Sequence, residues 1–168
     1  MGSKTGKRGA GGTPAVRALA AAGLPFSEHP YEHDPDHPSF GMEAAEALGL
    51  DPDSVFKTLL AEVDAVLVVA VLPVTAQLDL KALAGVVGGK RATLARPGDA
   101  ERVTGYVVGG ISPLGQRKPL LTVVDISAEA LETMYVSGGR RGFDLGVAPA
   151  DLIALTRATV ASVTAPAR

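Results

Sequence analysis

The sequence predicts a single α/β domain in which a mixed, barrel-like β-sheet is flanked by short helices. The chain has 168 residues, of which 46% are hydrophobic and 20% charged, enough for one core but too few for two ordinary domains. Short strand-like segments alternate with short helix-like segments and hairpins. A doubly wound nucleotide-binding fold is disfavoured, because neither a P-loop pattern nor a strand–turn–helix with G-x-G-x-x-G occurs.

The elements of the first half follow from capping residues and periodicity. Residues 1–12 are basic and glycine-rich, so we expect a disordered tail, with the domain occupying residues 13–168. Thr13 and Pro14 are typical of a helix start, and Gly23 of a helix end. The segments after this helix are predicted to be extended at 26–31, helical at 41–48, and a β-hairpin at 55–63 and 65–72.

The second half continues the alternation of helices and strands. Helices are predicted at 79–87, 97–103, 127–131 and 149–156, with Ser127 capping the third. Strands are predicted at 92–94, 121–125, 134–136, 143–147 and 159–163.

Composition excludes several classes of function. The chain contains no cysteine, which rules out a cysteine nucleophile, disulfides and thiolate metal sites. Its longest apolar run, residues 65–74, is too short to span a bilayer. The net charge is −2, so any contact with nucleic acid must be local. We expect a cytoplasmic protein without membrane contacts.

The histidines do not predict a metal site or a catalytic triad. His29, His33 and His37 are the only three, spaced four residues apart, as metal ligands on a helix would be. Prolines at positions 30, 35 and 38 break any such helix. No G-x-S-x-G pattern occurs, and no histidine follows residue 37.

A glycine–proline segment is the most informative stretch. It is predicted to form a shaped loop at the rim of a sheet, because glycine permits positive φ and close approach to the main chain. A simple tight turn is the alternative. The residues of this loop are Gly109, Gly110, Ile111, Ser112, Pro113, Leu114 and Gly115.

Two other features have both a structural and a functional interpretation. Lys57 and Thr58 interrupt an apolar strand, where a lysine either protects an exposed edge or lines a cavity. A second glycine-rich loop is predicted at 137–142. There Ser137 and the nearby Asp144 are either turn and surface groups or ligand contacts, and Arg140 and Arg141 are either solvated or bind phosphates.

Taken together, these motifs resemble a known family. Tyr31-Glu32-His33-Asp34-Pro35, the Lys57 strand, the segment 104–116 and Tyr135-Val136-Ser137-Gly138-Gly139 occur in order. The chain resembles the bacterial Cys-tRNA(Pro) deacylases of the YbaK family, relatives of the editing domain of bacterial prolyl-tRNA synthetases. The likeness runs from about residue 13 to residue 163.

The resemblance implies a trans-editing enzyme that hydrolyses mischarged Cys-tRNA(Pro) and works with prolyl-tRNA synthetase. Lys57 would hold the terminal adenosine or its phosphate, and the main chain of Gly109 to Gly115 would surround the ester carbonyl. Lys57, Gly109 and Gly110 would be the catalytic residues. The implied substrate-binding residues are Tyr31, Phe40, Thr58, Ile111, Ser112, Pro113, Leu114, Gly115, Ser137, Gly138, Gly139 and Asp144.

The same resemblance implies no metal, no cofactor and no protein nucleophile. The cysteine thiol of the substrate would attack its own ester. Three alternatives stay open: an Ala-tRNA(Pro) deacylase of the same superfamily, a non-catalytic module that binds aminoacyl nucleotides, and a small-molecule hydrolase.

Overall fold

A computed structural model describes residues 12–165 of the chain. The predicted tail lies outside these residues, apart from Gly12. Within the described range, none of the helices has the length and apolar character needed to cross a membrane. The α-helices of this described part are α1 (Pro14–Ala21), α2 (Phe40–Leu48), α3 (Leu80–Val86), α4 (Pro97–Thr104) and α5 (Pro149–Thr156), and two 3₁₀ helices in it span Pro52–Ser54 and Ile126–Ala130.

Between residues 12 and 165 the strands form three sheets. They are β1 (Ser27–Pro30), β2 (Phe56–Val63), β3 (Val66–Pro73), β4 (Gln77–Leu78), β5 (Ala92–Leu94), β6 (Leu121–Asp125), β7 (Met134–Arg140), β8 (Phe143–Val147), β9 (Thr159–Ala161) and β10 (Thr164–Ala165). A five-stranded mixed sheet has the order β5-β2-β3-β6-β9, a three-stranded antiparallel sheet has the order β1-β8-β7, and β10 pairs with β4.

The five-stranded sheet is buried on both faces, because residues of its strands alternate between two hydrophobic clusters. In β3, Val69 and Val71 face the main core, whereas Val68, Ala70 and Leu72 face a second cluster under α3. The main core lies between this sheet and the three-stranded sheet, whose Val136, Phe143 and Leu145 point into it. Helices α1 and α5 add Leu19 and Leu152 to the same core.

The prediction of a single α/β domain with a mixed sheet is confirmed, but the described sheets do not close into a barrel. The five-stranded and the three-stranded sheet are joined by a parallel bridge between Val55 and Tyr135 rather than by a continuous ladder. The gap lies at the edge of β2, because β5 pairs with only Ala61, Glu62 and Val63 of that strand. The first half of β2 is therefore left without a partner strand on this side.

Two local differences from the sequence-based expectation follow from side-chain hydrogen bonding and from glycine. The predicted helix at 127–131 is a 3₁₀ helix, and its cap is Asp125, whose carboxylate accepts hydrogen bonds from the N–H and hydroxyl of Ser127. The predicted second glycine loop at 137–142 is wrong. Strand β7 continues through it to Arg140 with a register shift after Ser137, and only the hairpin turn at Arg141 and Gly142 is a loop.

Candidate functional site

A cavity of about 330 Å³ lies beside the free edge of β2. Successive residues of a strand direct their backbone groups to opposite neighbours. The C=O of Val55 accepts from Val74, which follows β3, and that of Leu60 accepts from Ala95 on the opposite side. The N–H and C=O of Thr58 therefore point to the free edge, where the cavity is.

Eight of the residues singled out in the sequence line this one cavity. They come from β2, from β7 and β8, from the segment after β1, from the start of α2 and from the glycine–proline loop, and are therefore far apart in the chain. The eight are Tyr31, Phe40, Lys57, Thr58, Gly109, Ile111, Ser137 and Asp144.

Lys57 extends from β2 into the cavity wall. Its side chain is half-buried, and burial alone lowers the pKa of its amine, with no contribution from a carboxylate. An ammonium group that has lost hydration without gaining a counter-ion is suited to a phosphate, carboxylate or carbonyl oxygen of a ligand. The structure thus favours the cavity interpretation of Lys57 over that of a solvated edge lysine.

Asp144 provides an acidic group on the other sheet. It lies in β8 opposite Ser137 of β7 and is 6% exposed. Burial raises the pKa of its carboxyl from the usual 3.8 to about 7. Burial and then the charges of Asp144 and Glu43 raise the pKa of Tyr31 to about 12, which places the phenol near this carboxylate. Lys57 is not among the causes of either shift.

The wall that carries Tyr31 and Phe40 is held in place by a buried carboxylate. Glu43, in α2, is 4% exposed and accepts a hydrogen bond from Nδ1 of His33 at 2.9 Å and one from the N–H of Asp34. The His33 ring stacks on Phe40 at 5.8 Å between centroids. These hydrogen bonds therefore hold the irregular segment before α2 against that helix.

The glycine–proline loop presents only part of its main chain to the cavity. Val108, Gly109 and Ile111 reach the cavity wall. The N–H of Gly110 donates to the C=O of Val107 at 2.8 Å. The N–H groups of Gly109 and Ile111 donate to no other described residue. These last two are the amides available to a ligand oxygen.

The rest of the loop builds its shape instead of lining the cavity. Ser112 and Leu114 are buried, and the Ser112 hydroxyl accepts from the N–H of Leu114 at 3.2 Å. The hydroxyl of buried Tyr106 donates to the C=O of Leu114 at 2.6 Å. The predicted substrate-binding residues Ser112, Pro113, Leu114 and Gly115 therefore lie outside the cavity lining given for the described chain.

The remaining predicted glycines also have packing roles. A Cβ on Gly110 would lie 2.7 Å from the Cα of Arg140, so the loop main chain rests on the β7–β8 hairpin. A Cβ on Gly138 would meet the Phe143 ring, and Gly139, at φ +111°, donates its N–H to the Ser137 hydroxyl. These residues position the cavity walls without lining them.

Sequence reasoning missed the apolar part of the site. This wall consists of side chains that are typical core residues and gave no signal that separated them from the core. It is formed by Leu59, Leu60, Leu94, Ala95, Pro97 and Ala100.

The three histidines are held apart by separate partners. His29 contacts the Ser27 hydroxyl and the Tyr135 ring, His33 contacts Glu43, and His37 contacts Glu46. Among residues 12–165, no three His, Asp or Glu side chains come together as metal ligands would.

The fold and the site define a small α/β protein with an apolar cavity that carries one cationic and one acidic residue. A family model for the aminoacyl-tRNA editing domain matches residues 38–155. The chain belongs to this family, and the resemblance inferred from its motifs is confirmed.

Relatives and solved structures agree with this membership. A protein of Enterococcus faecalis named as a proposed Cys-tRNA(Pro)/Cys-tRNA(Cys) deacylase, EbsC, is 35% identical, with 90% of this chain and 93% of the relative covered. A crystal structure described as a proposed trans-editing enzyme for prolyl-tRNA synthetase has a TM-score of 0.78 at 26% identity, covering 91% of this chain and 96% of that one. The Ser/Thr-tRNA deacylase ProXp-y of Escherichia coli is 41% identical over 34% of this chain and 35% of its own length.

Proposed function

We propose that this protein is a trans-editing aminoacyl-tRNA deacylase and that its substrate is Cys-tRNA(Pro). The observation that carries the proposal is the pair of ionisable groups on separate cavity walls, in a chain of the editing family. An aminoacyl-tRNA 3′ end carries a matching pair, because its amino acid has an ammonium group and its phosphate and ester carbonyl groups supply oxygens that a cation can bind.

The cavity residues have distinct roles in this proposal. The Asp144 carboxylate binds the α-ammonium group, and the Lys57 amine binds an oxygen of the terminal nucleotide or of the ester. The free N–H groups of Gly109 and Ile111 donate to the ester carbonyl oxygen, where negative charge develops during attack. Gly110 supports the loop and makes no contact with the carbonyl, since its own N–H is already bonded to Val107.

The nucleophile in this proposal is the thiol of the bound cysteine. Its sulfur attacks the ester carbonyl, an S–C bond forms, the bond to the ribose oxygen breaks, and the thiol proton ends on that oxygen. The products are tRNA with a free hydroxyl and a cyclic thiolactone, which water opens. Well-oriented intramolecular attack reaches effective molarities of about 10⁵–10⁸ M, so holding the ester in the reactive conformation supplies much of the rate acceleration.

A second site of this kind is useful because prolyl-tRNA synthetase cannot fully reject cysteine. Groups of nearly equal size differ by roughly 1–3 kcal/mol in a single binding pocket. We propose that the synthetase hands over the mischarged tRNA, because a chain of net charge −2 attracts free tRNA weakly.

The experiment is a panel of deacylation assays with purified protein. The substrates are tRNA(Pro) charged with cysteine, with proline, with alanine and with 2-aminobutyrate, which replaces the thiol of cysteine by a methyl group of similar size. We expect rapid release of cysteine and slow release of the other three. Equal rates for cysteine and 2-aminobutyrate would exclude attack by the substrate thiol, and no release of cysteine would exclude the proposed function.

Serine is a second candidate substrate, because the 58-residue match to ProXp-y links part of this chain to a Ser/Thr-tRNA deacylase. Ser-tRNA belongs in the same panel. If serine were released faster than cysteine, the editing function would stand but its substrate class would change to hydroxyl amino acids, and water rather than a thiol would attack.

The partnership with the synthetase needs its own assay. In this assay elongation factor is added at a concentration at which it competes with this protein for free Cys-tRNA(Pro). If the synthetase passes the mischarged tRNA directly to this protein, deacylation should continue when prolyl-tRNA synthetase is also present. Loss of deacylation under those conditions, with full activity on free Cys-tRNA(Pro), would contradict the partnership while leaving the enzyme activity intact.

A further inference from the structure

We propose that Arg141 binds a backbone phosphate of the RNA 3′ end at the mouth of the cavity. The proposal rests on the function proposed above and adds to it a contact outside the aminoacyl site. It starts from the hairpin turn after β7, which strand pairing and the glycine–proline loop bring to the edge of the cavity.

Arg141 is fixed to the cavity wall by two contacts. Its Nε donates to the C=O of Val108 at 2.9 Å, and its guanidinium carbon lies 5.3 Å from the centroid of the Phe40 ring. Val108 and Phe40 both line the cavity. The guanidinium is therefore held at the rim, and the conformational cost of placing it there is met before a ligand arrives.

The free part of this side chain suits a phosphate. Arg141 is exposed, and the hydrogen bonds and ion pairs between described residues engage only its Nε. Two terminal nitrogens remain, and a guanidinium fork matches two oxygens of a phosphate. When a terminal adenosine enters the cavity with its amino acid, the phosphate on its 5′ side must lie near the mouth.

Neighbouring arginines lack this combination. Arg96, next to cavity residues Ala95 and Pro97, lies 3.4 Å from the Asp99 carboxylate, which reduces its net charge. Arg140 precedes Arg141 in the chain and is also exposed, but its guanidinium lies 4.8 Å from the centroid of Phe143, a residue of the main core. Arg140 is thus a matched control, because it carries the same charge, is also exposed and lies in the same hairpin.

The test compares two substrates that differ in phosphate. One is Cys-tRNA(Pro), and the other is 3′-O-cysteinyl adenosine, which has the ester and the base but no phosphate. For Arg141→Gln we expect KM for Cys-tRNA(Pro) to rise about tenfold at unchanged kcat, and kcat/KM for the adenosine ester to stay at the wild-type value. Arg140→Gln should behave as wild type with both substrates.

A purely structural role of Arg141 predicts something different. If the side chain only supported Phe40 and the loop, Arg141→Gln would impair both substrates to the same extent, and that outcome would overturn the proposal. An unchanged KM for Cys-tRNA(Pro) would overturn it as well.

Binding of an uncharged RNA separates this proposal from the proposed function. A minihelix that ends in CCA should bind Arg141→Gln about tenfold more weakly than wild type, with a salt dependence smaller by about one phosphate contact. Weaker binding by the variant would support the phosphate contact even if no aminoacyl ester were cleaved. Equal minihelix affinities for wild type and Arg141→Gln would reject the contact even if deacylation proceeded normally.

Discussion

Lys57 and Asp144 occupy the same cavity, yet they reach it from different sheets and with opposite charges. Lys57 stands on the unpaired edge of β2, and Asp144 on the central strand of the three-stranded sheet. Burial shifts both pKa values toward the neutral form, lowering that of the lysine and raising that of the aspartate to about 7. Neither residue is among the causes of the other's shift.

The separation of Lys57 from Asp144 explains why both groups remain available to a ligand. Two opposite charges in contact would form an ion pair and offset each other's desolvation. Here each group bears its own desolvation cost, and each is open to a partner that a ligand supplies. A ligand with an anionic group and an ammonium group can satisfy both at once.

The largest expected effect comes from removing the cationic wall. Lys57→Ala should lower kcat/KM for Cys-tRNA(Pro) by about 10²–10³-fold, the cost of losing one group that stabilises developing charge. Deacylation rates measure this effect, and Lys81→Ala, an exposed lysine in α3, is the matched control. Wild-type rates for Lys57→Ala would show that the Lys57 amine does not contribute to deacylation.

The acidic wall should be visible in the pH dependence of stability. The unfolded chain releases the Asp144 proton near pH 4, whereas the folded protein keeps it to about pH 7. Stability should therefore fall as pH rises from 4 to 7 and stay level above, by up to about 4 kcal/mol for a pKa rise of about three units from 3.8 to about 7.

Urea unfolding of the wild type and of Asp144→Asn across this range measures the effect. The variant carries no ionisable group at this position, so its stability should lose that part of the decline with pH. Parallel curves for the two proteins would mean that the Asp144 carboxyl is not desolvated as described.

The contact between the glycine–proline loop and the β7–β8 hairpin can be tested at Gly110. A Cβ there would lie 2.7 Å from the Cα and 2.8 Å from the carbonyl carbon of Arg140, so the loop or the hairpin must shift. Gly110→Ala should cost roughly 1–3 kcal/mol of stability and slow deacylation.

Gly85→Ala is the control for this change. Gly85 lies in α3 with open space around its Cβ position, so alanine there should raise stability by about 1 kcal/mol. Thermal unfolding separates the two variants, and a Gly110→Ala protein as stable as Gly85→Ala would contradict the close packing.

The smallest expected effect is at Thr58, which follows Lys57 in β2. Its Oγ1 is buried without a hydrogen-bond partner among the described residues. Thr58→Val removes this unsatisfied hydroxyl at similar volume, so stability should rise by about 1 kcal/mol. A loss of stability would show that the hydroxyl has a partner in the folded protein.

The sequence predicted the elements well where capping and periodicity decide them. Strand β6, strand β8 and helix α5 have the predicted bounds, because each lies between clear turn or proline signals. The glycine segment at 137–142 was predicted as a loop, but β7 continues to Arg140 and only Arg141 and Gly142 form a turn. Gly138 and Gly139 fall at the register shift between the Ser137–Asp144 and Arg140–Phe143 pairs, so the strand accommodates its glycines as a local irregularity.

The site was only partly predictable for a related reason. Lys57 stands out in sequence because it interrupts an apolar strand, and Asp144 because it follows the second glycine-rich segment. The sequence did not show which residues of Gly109–Gly115 line the cavity and which only shape the loop. That distinction depends on contacts of the loop with Tyr106 and Arg140. The apolar wall around Leu94 reads as ordinary core, and only the missing partner of β2 turns it into a cavity wall.

Calorimetry of ligand binding tests most directly whether the Asp144 carboxylate binds the ammonium group of the ligand. The ligands are 3′-cysteinylamino-3′-deoxyadenosine, whose amide resists cleavage, and its N-acetyl derivative, which lacks the ammonium group. At pH 7.5 wild type should bind the free amine at least about tenfold more tightly, and Asp144→Asn should bind both equally. Equal affinities in wild type, or a preference that persists in Asp144→Asn, would contradict the account.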